Sequence, residues 1–331
     1  MKKLLFSLFV FTVAMMFSVV ACAAAPKYVM KFQHPHTAQE PYHGAYEAWA
    51  KAVKERTGGA VEIQVFHSSQ IGVEEDIIEQ MRLGAPVGQS TDAARMGNYV
   101  KEMSAMNLPY FIDTLEELEK LGQLESVKKL IKQLEDDRGI HINSLFFVQG
   151  FRHMFTNEPI RKPEDLKGKR IRSAPAPAWQ AMVSSLGATP VTIPYVEIYS
   201  AIQAKAVDGT EIGYTGGYAA NMFEVVKYVS ETRHYLLMNM PICSAKWFRS
   251  LPAEYQQIID EEAQKAGKKV SYDTINKLEA EAKQGMISKG TKIIESKDID
   301  IDAFKKAGTA AYQKMGVLEF RDAVWKELGK K

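Results

Sequence analysis

The stretch from Arg161 to Gly213 limits the fold more than any other part of the chain. It reads RKPEDLKGKRIRSAPAPAWQAMVSSLGATPVTIPYVEIYSAIQAKAVDGTEIG. Apolar runs alternate with helix formers, and each is closed by Pro or Gly. A basic strand over Lys169–Ser173 cannot pass Pro175 and Pro177, which leaves Arg172 at or near a strand end. A helix with Pro in its first turn follows at Pro177–Leu186. Then come a strand at Ala188–Ile193, a helix at Tyr195–Lys205 and a strand at Val207–Tyr214. This alternation predicts an α/β unit. Ligands bind at strand ends in such sheets, and an arginine there offers a rigid fork of donors to a carboxylate. Taken alone, Arg172 reads more readily as a surface residue paired with Glu164 or Asp165.

The N-terminal part repeats the alternation. Val29–Gln33 and Val61–Phe66 read as strands, and Tyr42–Thr57 and Val73–Leu83 as helices ended by glycines. Pro86–Thr91, PVGQST, is too polar for a buried central strand unless its end faces a cleft. Asp92 then caps the next helix, lines a pocket, or does both. Leu115, Leu118, Leu121, Leu124, Val127, Leu130, Ile131 and Leu134 form one apolar stripe, which predicts one helix ending near Gly139. A strand at His141–Val148 is broken by Gly150-Phe151-Arg152, and a further strand leads on to Thr156. Lys227–Ser230 and Tyr235–Ser244 read as extended, the second carrying the chain back to the first lobe. Residues 252–288 have no internal proline and predict a helix of about 55 Å, kinked at Gly267 or Gly285. The tail predicts a strand at Thr291–Glu295 and helix around Ala303–Trp325.

Composition narrows the function. Among 331 residues, 46% are hydrophobic and 25% charged, as for a globular chain with a full core. Lys2 and Lys3, an apolar run from Leu4 to Val20 and Ala21-Cys22-Ala23 read as a signal peptide over residues 1–23. An uncleaved anchor, or lipid attachment through Cys22, are the alternatives. Without the two leader lysines, 40 of the 42 basic residues face 40 acidic ones, with no basic excess for nucleic acid. Cys243 lies in an apolar run and reads as a small buried hydrophobe. His34, His36, His43 and His67 suggest metal ligands only by number and read as solvated loop residues. No cofactor or metal motif is present.

The motifs PEDLKGKRIR, LGATPV and PYVEIYSAIQAKAVDGTE, with SSQIG at Ser68–Gly72, LPYFI at Leu108–Ile112 and GFR at Gly150–Arg152, resemble the solute-binding proteins of TRAP transporters (tripartite ATP-independent periplasmic transporters). The resemblance covers nearly the whole mature chain. It implies a two-lobe, periplasmic-binding-protein-like α/β fold, hinged, with the ligand in the inter-lobe cleft. Lobe I would comprise residues 26–149 and 238–277, and lobe II residues 150–237 and 278–331. The helix over 252–288 would bridge them. By the same resemblance Arg172 anchors a ligand carboxylate, Arg152 supports it, and Asp92 and Tyr195 line the pocket. Where the family often carries Asn after V-D-G-x-E, this chain has Ile212. With Trp179, Tyr214, Tyr218 and Phe151 nearby in sequence, Ile212 points to a ligand with an apolar or aromatic body. The candidate ligand-binding set is Arg172, Arg152, Asp92, Tyr195, Ile212, Trp179, Tyr214 and Phe66. Arg95 and His153 are weaker candidates, and Glu197 reads as structural.

Three functions are compatible with these residues. The first is a monomeric periplasmic binding protein that delivers an organic carboxylate to TRAP membrane permease subunits, with no catalytic group. The second is a ligand sensor for a membrane receptor. The third is a secreted enzyme acting on an organic acid, with Asp92 or Glu211 as base.

Overall fold

A computed structural model describes residues 25–330. The expected leader, with Cys22, lies outside the described residues. The first unit runs β1 (Tyr28–Gln33), α1 (Pro41–Arg56), β2 (Val61–Phe66), α2 (Glu74–Arg82), β3 (Val87–Asp92) and α3 (Ala93–Met96). Strand β1 pairs in parallel with both β2 and β3, so each connection is a helix crossing back over the sheet. Helices α4 (Leu115–Leu121) and α5 (Glu125–Arg138) lead to β4 (Ile140–Ile142) and β5 (Phe147–Thr156). The second unit runs β6 (Arg170–Ser173), α6 (Pro177–Ser185), β7 (Thr189–Thr192), α7 (Ile198–Gln203), β8 (Gly209–Gly213) and α8 (Tyr214–Ala219). It is again parallel where β6 meets β7 and β8.

The two units are joined by long strands. Strand β9 (Tyr228–Ser244) has 17 residues, roughly 55 Å at strand rise, enough to run through both halves. Its C-terminal part, Asn239–Cys243, pairs with β3, and its Tyr228–Asn239 part pairs with β5. The order is β2-β1-β3-β9-β5-β8-β6-β7. The sequence expectation of two α/β lobes holds. After α9 (Ala245–Arg249), helix α10 (Ala253–Asp273) and helix α11 (Glu279–Ser288) flank one π-helical turn, Thr274–Leu278. The chain closes with β10 (Lys292–Ile294), α12 (Ile301–Met315) and α13 (Leu318–Leu328). No helix among the described residues is long and apolar enough to cross a membrane.

Several local expectations differ. The strand expected over His141–Val148 is interrupted between β4 and β5, and the two extended segments expected at Lys227–Ser230 and Tyr235–Ser244 are the single strand β9. The leucine stripe is two helices, because α4 ends at Gly122 and Leu124 is extended before α5 begins. Glycine is among the poorest residues inside a helix, so the break falls there. The GFR triplet does not end a strand. Gly150 at φ +85° absorbs a bulge, and β5 continues through Arg152 to Thr156. The long helix departs from α geometry at the π turn, at neither glycine. Gly267 instead lets α10 press against the Phe146 carbonyl, and Gly285 seats the Tyr218 ring. The tail does not belong wholly with the second unit. Tyr312 donates to the Pro109 carbonyl and Trp325 to that of Phe111, tying α12 and α13 to the segment before α4.

Candidate ligand-binding site

The strand ends of both units converge on one small cavity of about 40 Å³. From the first unit come Pro35 and His36 after β1, Glu74 at the start of α2, Asp92 at the end of β3 and Arg95. From the second come Arg172 on β6, Ala174, Trp179 on α6 and Tyr195. The joining strands add Gln149 and Arg152 from β5 and Leu237 and Asn239 from β9. Pro175 and Pro177 act as expected: β6 stops at Ser173, one residue past Arg172.

The three arginines are in different electrostatic states. Arg95 is held by three carboxylates, with Asp92 Oδ2 at 2.5 Å, Glu74 Oε2 at 2.6 Å and Glu75 Oε1 at 3.0 Å. Burial alone would lower its pKa, but those three charges raise it above the ordinary value. Arg152 forks onto Glu211: Nε donates to Oε2, and Nη2 donates to Oε1 at 2.8 Å and to the Glu211 carbonyl. Burial works to raise the Glu211 carboxyl, yet Arg152 and His234 beside it hold it below the usual carboxylate value.

Arg172 has no such partner. It is 3% exposed, and among the described residues it forms no ion pair. Among those residues its side chain makes one bond, Nε donating to the Ile193 carbonyl at 2.8 Å. The surface pairing with Glu164 or Asp165 is not made; Asp165 instead accepts from the backbone N–H groups of Arg161 and Lys162. Burial pushes the Arg172 guanidinium down to about 10; Glu211 offsets part of that, while Arg152 and Arg95 add to it. A buried cation without a counter-charge is costly, and a bound anion supplies what the fold leaves out.

A latch of polar groups crosses between the units at the cavity rim. Gln149 Nε2 donates to His36 Nε2 at 2.7 Å, and His36 Nδ1 bonds Glu40 Oε2 at 3.0 Å. Tyr195 donates to the same carboxylate at 3.3 Å, and Tyr42 bonds Thr215 at 3.0 Å. Gly216 makes room for this, since a methyl there would lie 2.8 Å from Tyr195 Oη.

Five of the eight candidates meet at the cavity: Arg172, Arg152, Asp92, Tyr195 and Trp179. Asp92 has both of its expected roles, accepting from Arg95 N at 3.0 Å as the cap of α3. The other three lie elsewhere. Ile212 packs in the second unit's core with Phe155, Ile198 and Val229. Tyr214 is in the same core, its hydroxyl on Glu231 at 2.9 Å. Phe66 ends β2, which is an edge strand. With Ile212 and Tyr214 withdrawn and most lining residues polar or charged, the cavity does not suit an apolar or aromatic body. His153 packs against Tyr214 with the rings tilted, 4.9 Å between ring centres, and Glu197 is exposed and does not line the cavity.

Sequence reasoning missed Glu74, Gln149 and Asn239, which no motif marks, and took His36 for a solvated residue. His34 and His36 are buried at the end of β1. Burial and the neighbouring His36, His43 and His67 push the His34 ring down to about 2, so it is neutral. Among the described residues no group of three His, Cys, Asp or Glu is placed to hold a metal ion. Neither expected base is free, since Asp92 is tied to Arg95 and Glu211 to Arg152. A larger hollow of about 510 Å³ lies by the α4–α5 junction, but its Lys268 is already paired with Glu119 at 2.7 Å.

Residues 32–317 match the model of a family described as bacterial extracellular solute-binding protein, family 7. The C4-dicarboxylate-binding periplasmic protein DctP of Rhodobacter capsulatus is 30% identical over 233 residues, which are 70% of this chain and 69% of that protein. A TRAP periplasmic solute-binding protein of Escherichia fergusonii, in an apo open structure, is 30% identical and superposes with a TM-score of 0.79 over 90% of this chain and 99% of its own. One from Fusobacterium nucleatum with bound sn-glycerol-3-phosphate is 28% identical, with a TM-score of 0.85 over 91% of this chain and 98% of its own. The order of the strands, the cavity between the two units and these matches agree: the chain belongs to family 7 of the bacterial extracellular solute-binding proteins, the solute-binding proteins of TRAP transporters.

Proposed function

We propose that this chain captures a small organic carboxylate between its two lobes and hands it to a TRAP-type membrane permease. The observation that carries this reading is Arg172, a buried guanidinium in the cavity with no ion-pair partner among the described residues. Arg152, already satisfied by Glu211, lines the cavity beside Arg172. Its guanidinium lies 4.9 Å from the Trp179 ring centre, which fixes both side chains. The lobes divide as 26–149 with 238–277 and 150–237 with 278–331, with α12 and α13 reaching back to the first. Higher superposition on the ligand-bound neighbour than on the open one supports a closed arrangement, held by the Glu40–Tyr195 and Tyr42–Thr215 bonds. Ligand entry then requires those bonds to open, as in hinge closure. Residues 1–23 direct the chain across the inner membrane, and the mature protein acts in the periplasm without a chemical step.

The test is titration calorimetry of ligand-stripped protein with a panel of carboxylates. A stoichiometric ligand that is bound by the wild type and lost in Arg172→Met supports the reading. Turnover of a bound acid, or equal binding by the variant, would overturn it.

A further inference from the structure

A separate cavity of about 300 Å³ lies between the Leu108–Ile112 segment and the C-terminal helices α12 and α13. That volume suits a small ligand. Lys305 and Lys306 of α12, Arg321 of α13 and Lys330 line it, against one lining carboxylate, Asp113. Lys330 is paired, with Asp113 and Glu117 both at 2.9 Å. Arg321 has the exposed Asp322 at 2.6 Å, reached through Nε and Nη2, which leaves Nη1 to donate elsewhere. Lys305 and Lys306 form no ion pair among the described residues. Aromatic rings hold cations here: Lys305 Nζ lies 5.9 Å from the Tyr110 ring centre, and the Arg321 guanidinium 4.7 Å from that of Tyr312 and 4.4 Å from that of Trp325. A ring fixes a cation without cancelling its charge. The rings are fixed in turn by the LPYFI segment, since Tyr312 and Trp325 donate to the Pro109 and Phe111 carbonyls. Tyr110 stands at φ +60°, a strained conformation for a bulky side chain, with its N–H on the His234 carbonyl and its hydroxyl on that of Thr232. None of these residues lines the carboxylate cavity.

The geometry points to a second anion-binding site here, one that takes a compact anion with two or more negative charges, a polycarboxylate or an oligophosphate. A hollow lined mainly by one sign of charge concentrates counter-ions. A single carboxylate answers one ammonium group. A multivalent anion answers Lys305 and Lys306 together and adds a charge-assisted bond from Arg321 Nη1. The lining comes only from α12, α13, the segment before α4 and Lys330, so binding there is independent of Arg172 and needs no closure of the two units on each other. The LPYFI motif, which has no part in the carboxylate site, acquires a role as the support that sets the rings and, through them, the cations.

The experiment is calorimetry of the stripped mature protein and its Arg172→Met variant with pyrophosphate, citrate and, as the monovalent control, acetate. Pyrophosphate against citrate separates a phosphate ligand from a carboxylate one. The ionic strength is held at about 0.15 M, where exposed charges are screened beyond about 8 Å. At least one multivalent probe should bind Arg172→Met with a stoichiometry of one, as tightly as it binds this site in the wild type, and about 100-fold more tightly than acetate. Lys305→Gln with Lys306→Gln changes two exposed side chains and should weaken that binding about 30-fold. Lys128→Gln with Lys129→Gln takes the same charge from α5 and should weaken it by less than about threefold. Equal weakening by the two pairs would show a diffuse surface field and overturn the inference. So would binding that Arg172→Met abolishes, which places the anion in the cleft and leaves the carboxylate anchor standing, or the absence of saturable binding of either multivalent probe.

Discussion

Removing the Arg172 charge should make the ligand-free protein more stable and leave it unable to bind. The guanidinium is pushed down to about 10, well below its ordinary range, chiefly because burial strips its water. That difference corresponds to about 3 kcal/mol carried by the folded, unliganded state at neutral pH. Arg172→Met keeps the stem and volume, removes the charge and gives up the bond to the Ile193 carbonyl, a loss of about 1 kcal/mol. The net expectation is a gain of roughly 1–2 kcal/mol, a rise of a few degrees in melting temperature. Binding should fall by roughly 2–5 kcal/mol, or about 30- to 5,000-fold, because the ligand's carboxylate loses its partner. Arg172→Lys should also bind poorly, since an ammonium lacks the planar fork. Thermal denaturation of stripped protein reads the first effect and calorimetry the second. A variant less stable than wild type by more than about 1 kcal/mol would show that the arginine is paired within the fold. Affinity within a factor of three of wild type would show that the anion sits elsewhere.

Other outcomes follow from the same geometry. Gly267→Ala places a methyl into the Phe146 carbonyl, and because backbone cannot yield as a side-chain tip can, it should cost about 3 kcal/mol in thermal denaturation. Glu279, buried beside the Phe151 N–H, has its carboxyl pushed up to about 7 by burial. The folded state therefore holds a proton that the unfolded chain gives up at about 4.5, and about 3 kcal/mol of stability is lost as pH rises from 4.5 to 7. Glu279→Gln should flatten that part of the stability–pH curve. His141 runs oppositely in charge: despite burial, Asp260 and Glu135 raise its ring to about 9. Its contribution, about 3 kcal/mol, is complete below pH 6.5 and lost as pH rises through 9, and His141→Gln should remove that second decline.

Legibility in the sequence followed the range of the forces involved. Arg172 was readable because two prolines stop a strand locally, and because the surrounding motif resembles a known family. The strands and helices of both units were readable from periodicity to within a few residues. The continuity of β5 was not, since a glycine that breaks one strand elsewhere carries a bulge here, with Glu279 from a distant helix receiving the freed Phe151 N–H. The placement of Ile212 failed for a related reason. Alternation along β8 puts Glu211 on Arg152 and turns Ile212 into the core with Phe155. Glu74, Gln149 and Asn239 come from three separate elements, and only the tertiary fold brings them together. The histidines after β1 looked solvated because nothing local shows that Tyr46 and Tyr195 cover them.

The most direct measurement is a crystal structure of the mature protein with its tightest carboxylate ligand. It should place the carboxylate oxygens within hydrogen-bond distance of Arg172 Nη1 and Nη2, with Arg152 still forked on Glu211. A carboxylate held by Arg95 or Arg152 instead, with Arg172 gaining a protein counter-ion, would contradict the account.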